Sequence, residues 1–140
     1  MNREWCVQAA YFLLRFVSGL LLLASGGTKM FGWFGGMPKG MTFELMSQTG
    51  AGATIEIVCG ILIMLGLFTG PAAFLSSGTM AVAYWQFHAP PPASISPTAN
   101  GGMPAVLLCF IFLYLAARGG GEWSLDRMLA RRRDAGAVDS

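Results

Sequence analysis

The stretch Glu56–His88, EIVCGILIMLGLFTGPAAFLSSGTMAVAYWQFH, decides the architecture. After Glu56 the chain carries no Asp, Glu, Lys or Arg until Arg118, so residues 57 to 117 are sixty-one consecutive positions without one of these four. A water-soluble domain of 140 residues has a high surface-to-volume ratio and could hardly cover its surface from such a run. The stretch belongs in lipid. Gly70-Pro71 divides it into two apolar segments, about 54–69 and 72–88, the second closed by Ala89-Pro90-Pro91-Pro92. A further segment covers about 9–25, interrupted by Arg15, and a last one covers 103–118, ending at glycines 119 to 121. Each falls a little short of the roughly 20 residues that span a bilayer untilted. Helix is the consistent reading, because four spans cannot close a membrane barrel. The expectation is an all-α membrane protein. Residues 1–123 form a four-transmembrane-helix bundle, and 124–140 form a short cytoplasmic amphipathic helix.

Composition agrees. Hydrophobic residues make up 54% and charged residues 11%, against about 25% charged in typical globular domains. This excludes a soluble enzyme, a disordered tail and a disulfide scaffold. A net charge of +2, with no basic groove-reading patch, gives no reason to expect nucleic acid as a partner. Cys6, Cys59 and Cys109 form no CxxC pair, and one histidine offers no metal-ligand spacing. Cys59 and Cys109 lie in apolar runs, where a thiol packs as a small hydrophobe; a redox role would need an exposed thiolate. The first segment has the outline of a signal peptide, but Arg15 inside its apolar run and the spans that follow favour an uncleaved helix.

Arginines set the orientation. Arg3 precedes the first span, and Arg118, Arg127, Arg131, Arg132 and Arg133 follow the last. The first connection has only Lys29 and Lys39 against Glu44, and the later connections have none of these charges. Both termini are therefore expected in the cytoplasm. Trp5, Trp33, Trp85 and Trp123 fall at or just beyond span ends, as interface anchors do. Ser124-Leu125-Asp126-Arg127 reads as a helix start, with Ser124 as N-cap and Asp126 in the first turn. Leu125, Met128 and Leu129 would line one face of a basic tail helix on the inner membrane surface, although an ordinary positive-inside tail accounts for the same residues.

Arg15-Phe-Val-Ser-Gly19 followed by Gly26-Gly-Thr-Lys29-Met-Phe-Gly32 resembles the first-helix signature of the DoxX family of small bacterial membrane proteins. Glu56-Ile-Val-Cys-Gly60 with Gly66-Leu-Phe-Thr-Gly70 is similar to its second-helix pattern. Asn100-Gly-Gly and Gly119-Gly-Gly-Glu-Trp123-Ser-Leu-Asp126 resemble its closing motifs. Met103-Pro104 stands where relatives often carry an acidic residue, which weakens any acid-base role there. The resemblance implies a four-helix bundle and, more loosely, a small subunit of a membrane-associated oxidoreductase system handling thiols, sulfur compounds or quinones. The name bears on fold more than on function.

At about 100° per residue, Arg15, Gly19, Gly26 and Lys29 share one helix face. A charged stripe over glycines should face protein, since lipid offers the charges nothing. Glu56 and Gly60 repeat the device on the second span, with Gly66 beyond. Antiparallel spans bring Lys29 and Glu56 together at the outer mouth, with His88 and Asn100 converging there and Trp85 and Phe87 as a roof. This cluster reads either as a head-group site for a quinone carbonyl or small anion, or as a buried pair that only locks two helices. Arg15 falls on the inner half; Asp126 is its expected partner, with snorkelling to lipid phosphate as the competing account.

No cofactor-ligand or metal motif is evident, and the glycine-rich turns lack the Lys-Ser/Thr of a phosphate loop. A quinone is the cofactor the resemblance leaves room for. The leading functional expectation is a membrane subunit that assembles through its glycine faces with a larger redox complex. The alternatives are a stand-alone quinone- or thiol-linked oxidoreductase, and a small transporter or assembly factor.

Overall fold

The computed structural model describes residues 2–36, 44–92 and 94–138, and these are helical with no strand among them. Lys39 lies outside the described residues. Five α-helices follow in order: α1 (Arg3–Phe31), α2 (Gln48–Leu65), α3 (Thr69–Ala83), α4 (Met103–Arg118) and α5 (Leu125–Val138). A 3₁₀ turn, Trp33–Gly35, follows α1, and a π-helical turn, Tyr84–His88, continues α3.

The helices differ in extent from the apolar runs. α1 has 29 residues rather than the seventeen of 9–25, because its ends are built from good terminal residues. Glu4 lies in the first turn and Lys29 in the last, each complementing the helix dipole. α2 starts at Gln48, where the Ser47 side chain accepts the Gly50 N–H at 3.1 Å. It stops at Gly66, not at Gly70-Pro71. Gly66 has φ +69°, its N–H returns to the Ile63 carbonyl and the Leu67 N–H reaches Leu62, which is a Schellman closure. Pro71 then falls in the first turn of α3, where a missing N–H costs little. The apparent break was therefore the start of the next helix.

α1 and α2 make the most extensive contact, and α3 pairs with α4. Glycines bring α1 and α2 close: a Cβ on Gly19 would sit 2.9 Å from the Gly60 carbonyl oxygen, and one on Gly60 2.8 Å from the Leu23 nitrogen. Gly26 meets α2 at Ala53 in the same way. Ser77 ties α3 to α4 by donating to the Cys109 carbonyl at 2.8 Å. Tyr11, Leu22, Cys59, Ile63, Phe112 and Leu115 form the core.

Unlike that of a soluble domain, the surface is apolar as well as the core, and a few polar groups are enclosed. Arg15, Glu56, Thr69 and Ser76 are buried, whereas Leu13, Leu21, Phe74, Leu107 and Phe110 are exposed. Hydroxyls along the helices satisfy themselves on the preceding turn, Ser18 to Leu14 at 2.6 Å and Ser76 to Ala72 at 2.8 Å. α1 and α2 are long and apolar enough to cross a membrane, and α4 is a shorter apolar helix.

Candidate functional site

Two polar centres lie along α1, one in its last turn and one near its middle. At its C-terminal end, Lys29 Nζ donates to Glu56 Oε1 at 2.5 Å. The pair is lopsided: the glutamate side chain is 1% exposed and the lysine 31%. The second carboxylate oxygen, Oε2, is buried without a hydrogen-bond donor among the described residues. Gly26 allows this meeting, since a Cβ there would lie 3.0 Å from the Glu56 Cβ.

The pair borders a cavity of about 770 Å³ between α1, α2 and the α3–π segment. Ile55, Phe74, Leu75 and Val82 give it apolar walls, and Lys29, Glu56, Gln86 and His88 give it a polar end. Gln48 donates to Gln86 at 2.8 Å and so links α2 to the π turn across that end. A space with mostly apolar walls and convergent polar groups at one end matches the usual form of a small-molecule site.

Of the five residues expected to cluster, Lys29, Glu56 and His88 border this cavity, and Asn100 and Trp85 do not. Asn100 is spent on the chain before α4: its Oδ1 accepts the Gly102 N–H at 2.8 Å and its Nδ2 donates to the Ser94 carbonyl at 2.8 Å. Only its carbonyl faces His88, at 3.3 Å from Nδ1. Trp85 is 62% exposed and packs edge-on against Tyr84, because the π turn carries it away from the cavity; Phe87 does line it. No residue of α4 borders the space, so three helices contribute to it rather than four.

Near the middle of α1, level with the C-terminus of α2, Arg15 is 1% exposed. Its Nη1 donates to the Ile63 and Met64 carbonyls at 2.6 and 2.8 Å, and its Nη2 donates to the Trp123 carbonyl at 2.7 Å. The guanidinium thus caps the C-terminus of α2, where a cation complements both the free carbonyls and the dipole. No salt bridge joins it to Asp126 among the described residues, in place of the expected direct pair, although the carboxylate lies near enough to act on the guanidinium electrostatically. The carboxylate instead caps the N-terminus of α3: Oδ1 accepts the Phe68 N–H at 2.8 Å, and Oδ2 accepts the Thr69 N–H at 3.0 Å and the Thr69 hydroxyl at 2.9 Å. Each charge meets a helix end of opposite polarity, although Arg15 Nε is buried without an acceptor among the described residues. Arg15 does not snorkel either, because protein carbonyls reach it first.

Gly66 belongs to this junction rather than to helix packing. A Cβ there would meet Ser124 Cβ at 2.5 Å and Arg15 Nη1 at 2.7 Å, and its carbonyl accepts the Asp126 N–H at 2.9 Å. Ser124 caps α5, accepting the Arg127 N–H at 3.2 Å. Leu125 is half-buried, but Met128 and Leu129 remain exposed.

Sequence reasoning missed Tyr11, whose hydroxyl donates to the Gly119 carbonyl and whose ring carries Arg118 at 4.4 Å. Its position four residues before Arg15 on the buried stripe was the available signal. It also missed Thr69 and the Gln48–Gln86 link. The three cysteines are unpaired, with Cys59 buried. No group of three or more His, Cys, Asp or Glu that could hold a metal occurs among the described residues.

The DoxX family profile matches residues 10–89, which include α2, α3 and both residues of the Lys29–Glu56 pair. The chain belongs to the DoxX family. An uncharacterized protein of Haemophilus influenzae (strain ATCC 51907 / DSM 11121 / KW20 / Rd) is 37% identical over 108 residues, which covers 69% of this chain and 81% of that protein. No solved structure matches the chain. As a DoxX family membrane protein, the chain combines charged groups held inside an apolar shell with a cavity that ends on one of them.

Proposed function

We propose that this DoxX protein is a small multi-pass subunit of a membrane-associated redox complex, thiol/sulfur or quinone-linked, in a bacterial inner membrane. Four spans are assigned: α1, α2, α3 with its π continuation, and α4. α3 and the π turn hold 15 and 5 residues, and together these 20 match a bilayer crossing. Both termini are then cytoplasmic by the arginine excess of the tail, and the Lys29–Glu56 end faces outward.

The single observation carrying the functional reading is the cavity of about 770 Å³ with Lys29, Glu56 and His88 at one end. Its form fits an amphipathic molecule with a polar head and an apolar body. A quinone meets both requirements: Lys29 Nζ and the His88 ring are donors suited to carbonyl oxygens, and Ile55, Phe74 and Leu75 suit an apolar ring and tail. When bound, the quinone would supply two-electron redox chemistry. The chain's part is to orient the head and to keep the Lys29–Glu56 charge pair beside it. α1–α2 packing through Gly19 and Gly60 holds those residues in register, leaving outward apolar faces for partner subunits.

Purification in mild detergent, with mass spectrometry of associated proteins and solvent extraction of quinones, tests this. The account expects a co-purifying redox enzyme, and a quinone content that falls in Lys29→Gln. Quinone without a partner protein favours a stand-alone oxidoreductase. Neither partner nor quinone removes the redox reading and leaves transport or assembly.

A further inference from the structure

A second cavity, of about 530 Å³, lies at the opposite end of the bundle, where α2 stops and α5 begins. Its lining includes Leu65, Trp123, Arg127, Met128, Arg131 and Arg132. On α5, residues 127, 128, 131 and 132 fall within an arc of roughly 140° at helical spacing, so the arginines form one wall. Glu122, also in the lining, takes up part of this charge, at 3.4 Å from Arg127 and 2.9 Å from Arg131. Arg132 has no carboxylate partner among the described residues. Three guanidinium groups thus face one carboxylate.

The same cavity has an apolar edge. Leu65, Met128 and Trp123 are 50%, 48% and 43% exposed. A soluble anion would neutralise the arginines and leave this edge in water. A lipid with an anionic head covers both. Depth agrees, since Leu65 is the last residue of α2, a helix long and apolar enough to cross a membrane. The arginines therefore stand where the apolar span gives way to head groups. The wall is also anchored: Ser124 is buried, and Asp126 is bonded to the start of α3 on the other side of α5. A tail held only by general attraction to the surface would not need this fixing.

We propose that this cavity holds the head group of one anionic phospholipid, with its acyl chain against Leu65 and Trp123. The inference rests on the membrane-spanning reading of α2 and is independent of the redox reading.

The test uses the full chain in nanodiscs of phosphatidylcholine with a minor fraction of phosphatidylglycerol, and native mass spectrometry of the lipid retained after release. The wild type is expected to retain phosphatidylglycerol in preference to phosphatidylcholine. The double variant Arg131→Gln/Arg132→Gln should lose roughly thirtyfold in that preference, the combined effect of two basic groups near a charged head. Arg133→Gln should retain it, because Arg133 is outside the lining. Equal loss in Arg133→Gln would reduce the effect to diffuse attraction by a basic tail and overturn the site. Added inorganic phosphate, compared with chloride at matched ionic strength, should not displace the lipid; displacement would make a soluble anion the ligand. Alkaline carbonate extraction of membranes checks the spanning reading separately. Protein released by carbonate would remove that reading, whereas retained protein without lipid preference would remove only this proposal.

Discussion

The Lys29–Glu56 pair shows how unequal burial sets the consequences of breaking an ion pair. Glu56 is enclosed and Lys29 is 31% exposed, so the two partners lose different things when left alone. Lys29 without its glutamate can still reach water or a lipid phosphate. Glu56 without its lysine is a buried charge with both oxygens unpartnered, the case in which a broken pair costs about 3–5 kcal/mol. Lys29→Met should therefore destabilise the protein more than Glu56→Gln, for which about 1–2 kcal/mol is expected. Thermal unfolding of the two variants in one detergent measures the order. A larger loss in Glu56→Gln would mean that the lysine, not the carboxylate, is the enclosed partner.

At the scale of elements, the turn between α2 and α3 is governed by residues far from it in sequence. Arg15 from α1 closes the end of α2, and Asp126 from α5 opens α3. Arg15→Met would leave the Ile63, Met64 and Trp123 carbonyls without their donor, at about 1–3 kcal/mol for each group that finds no water. Asp126→Asn keeps one acceptor oxygen at the α3 terminus but loses the charge and turns an NH2 toward a backbone N–H, so about 1–3 kcal/mol is expected. Denaturant or thermal unfolding should rank Arg15→Met well above Asp126→Asn. Asp134→Asn, beyond this junction, should have no effect. A larger effect from Asp126→Asn would mean that the α3 cap, not the Arg15 site, holds the junction.

The same junction marks what the chain alone discloses. The apolar runs, the glycine stripe of α1 and the meeting of Lys29 with Glu56 follow from period and antiparallel order, both local or pairwise rules. The Arg15 site does not follow. Charge counting sends an arginine to the nearest carboxylate, whereas in the folded chain backbone carbonyls at a helix end are the closer acceptors. Pro71 misled for a related reason, since a proline ends one helix or begins the next depending on where the preceding glycine turns. Asn100 and Trp85 were legible as polar or interfacial residues, but the π turn and the capping of Gly102 decide their direction, and neither has a periodic signature.

The whole molecule is a helical bundle with an apolar surface around an apolar core, into which a few charges are set. Arg15 and Glu56 are enclosed by protein, many large apolar side chains face outward, and the proposed orientation places the Lys29–Glu56 end on the outer face. The functional reading and the lipid site both depend on that placement across the membrane. Paired reporter fusions, one active only outside the cytoplasm and one only inside, measure it most directly when placed after Ser140 and within residues 94–97. The account predicts a cytoplasmic signal after Ser140 and an exported signal from residues 94–97. An exported signal after Ser140, or the same side reported from both positions, would contradict it.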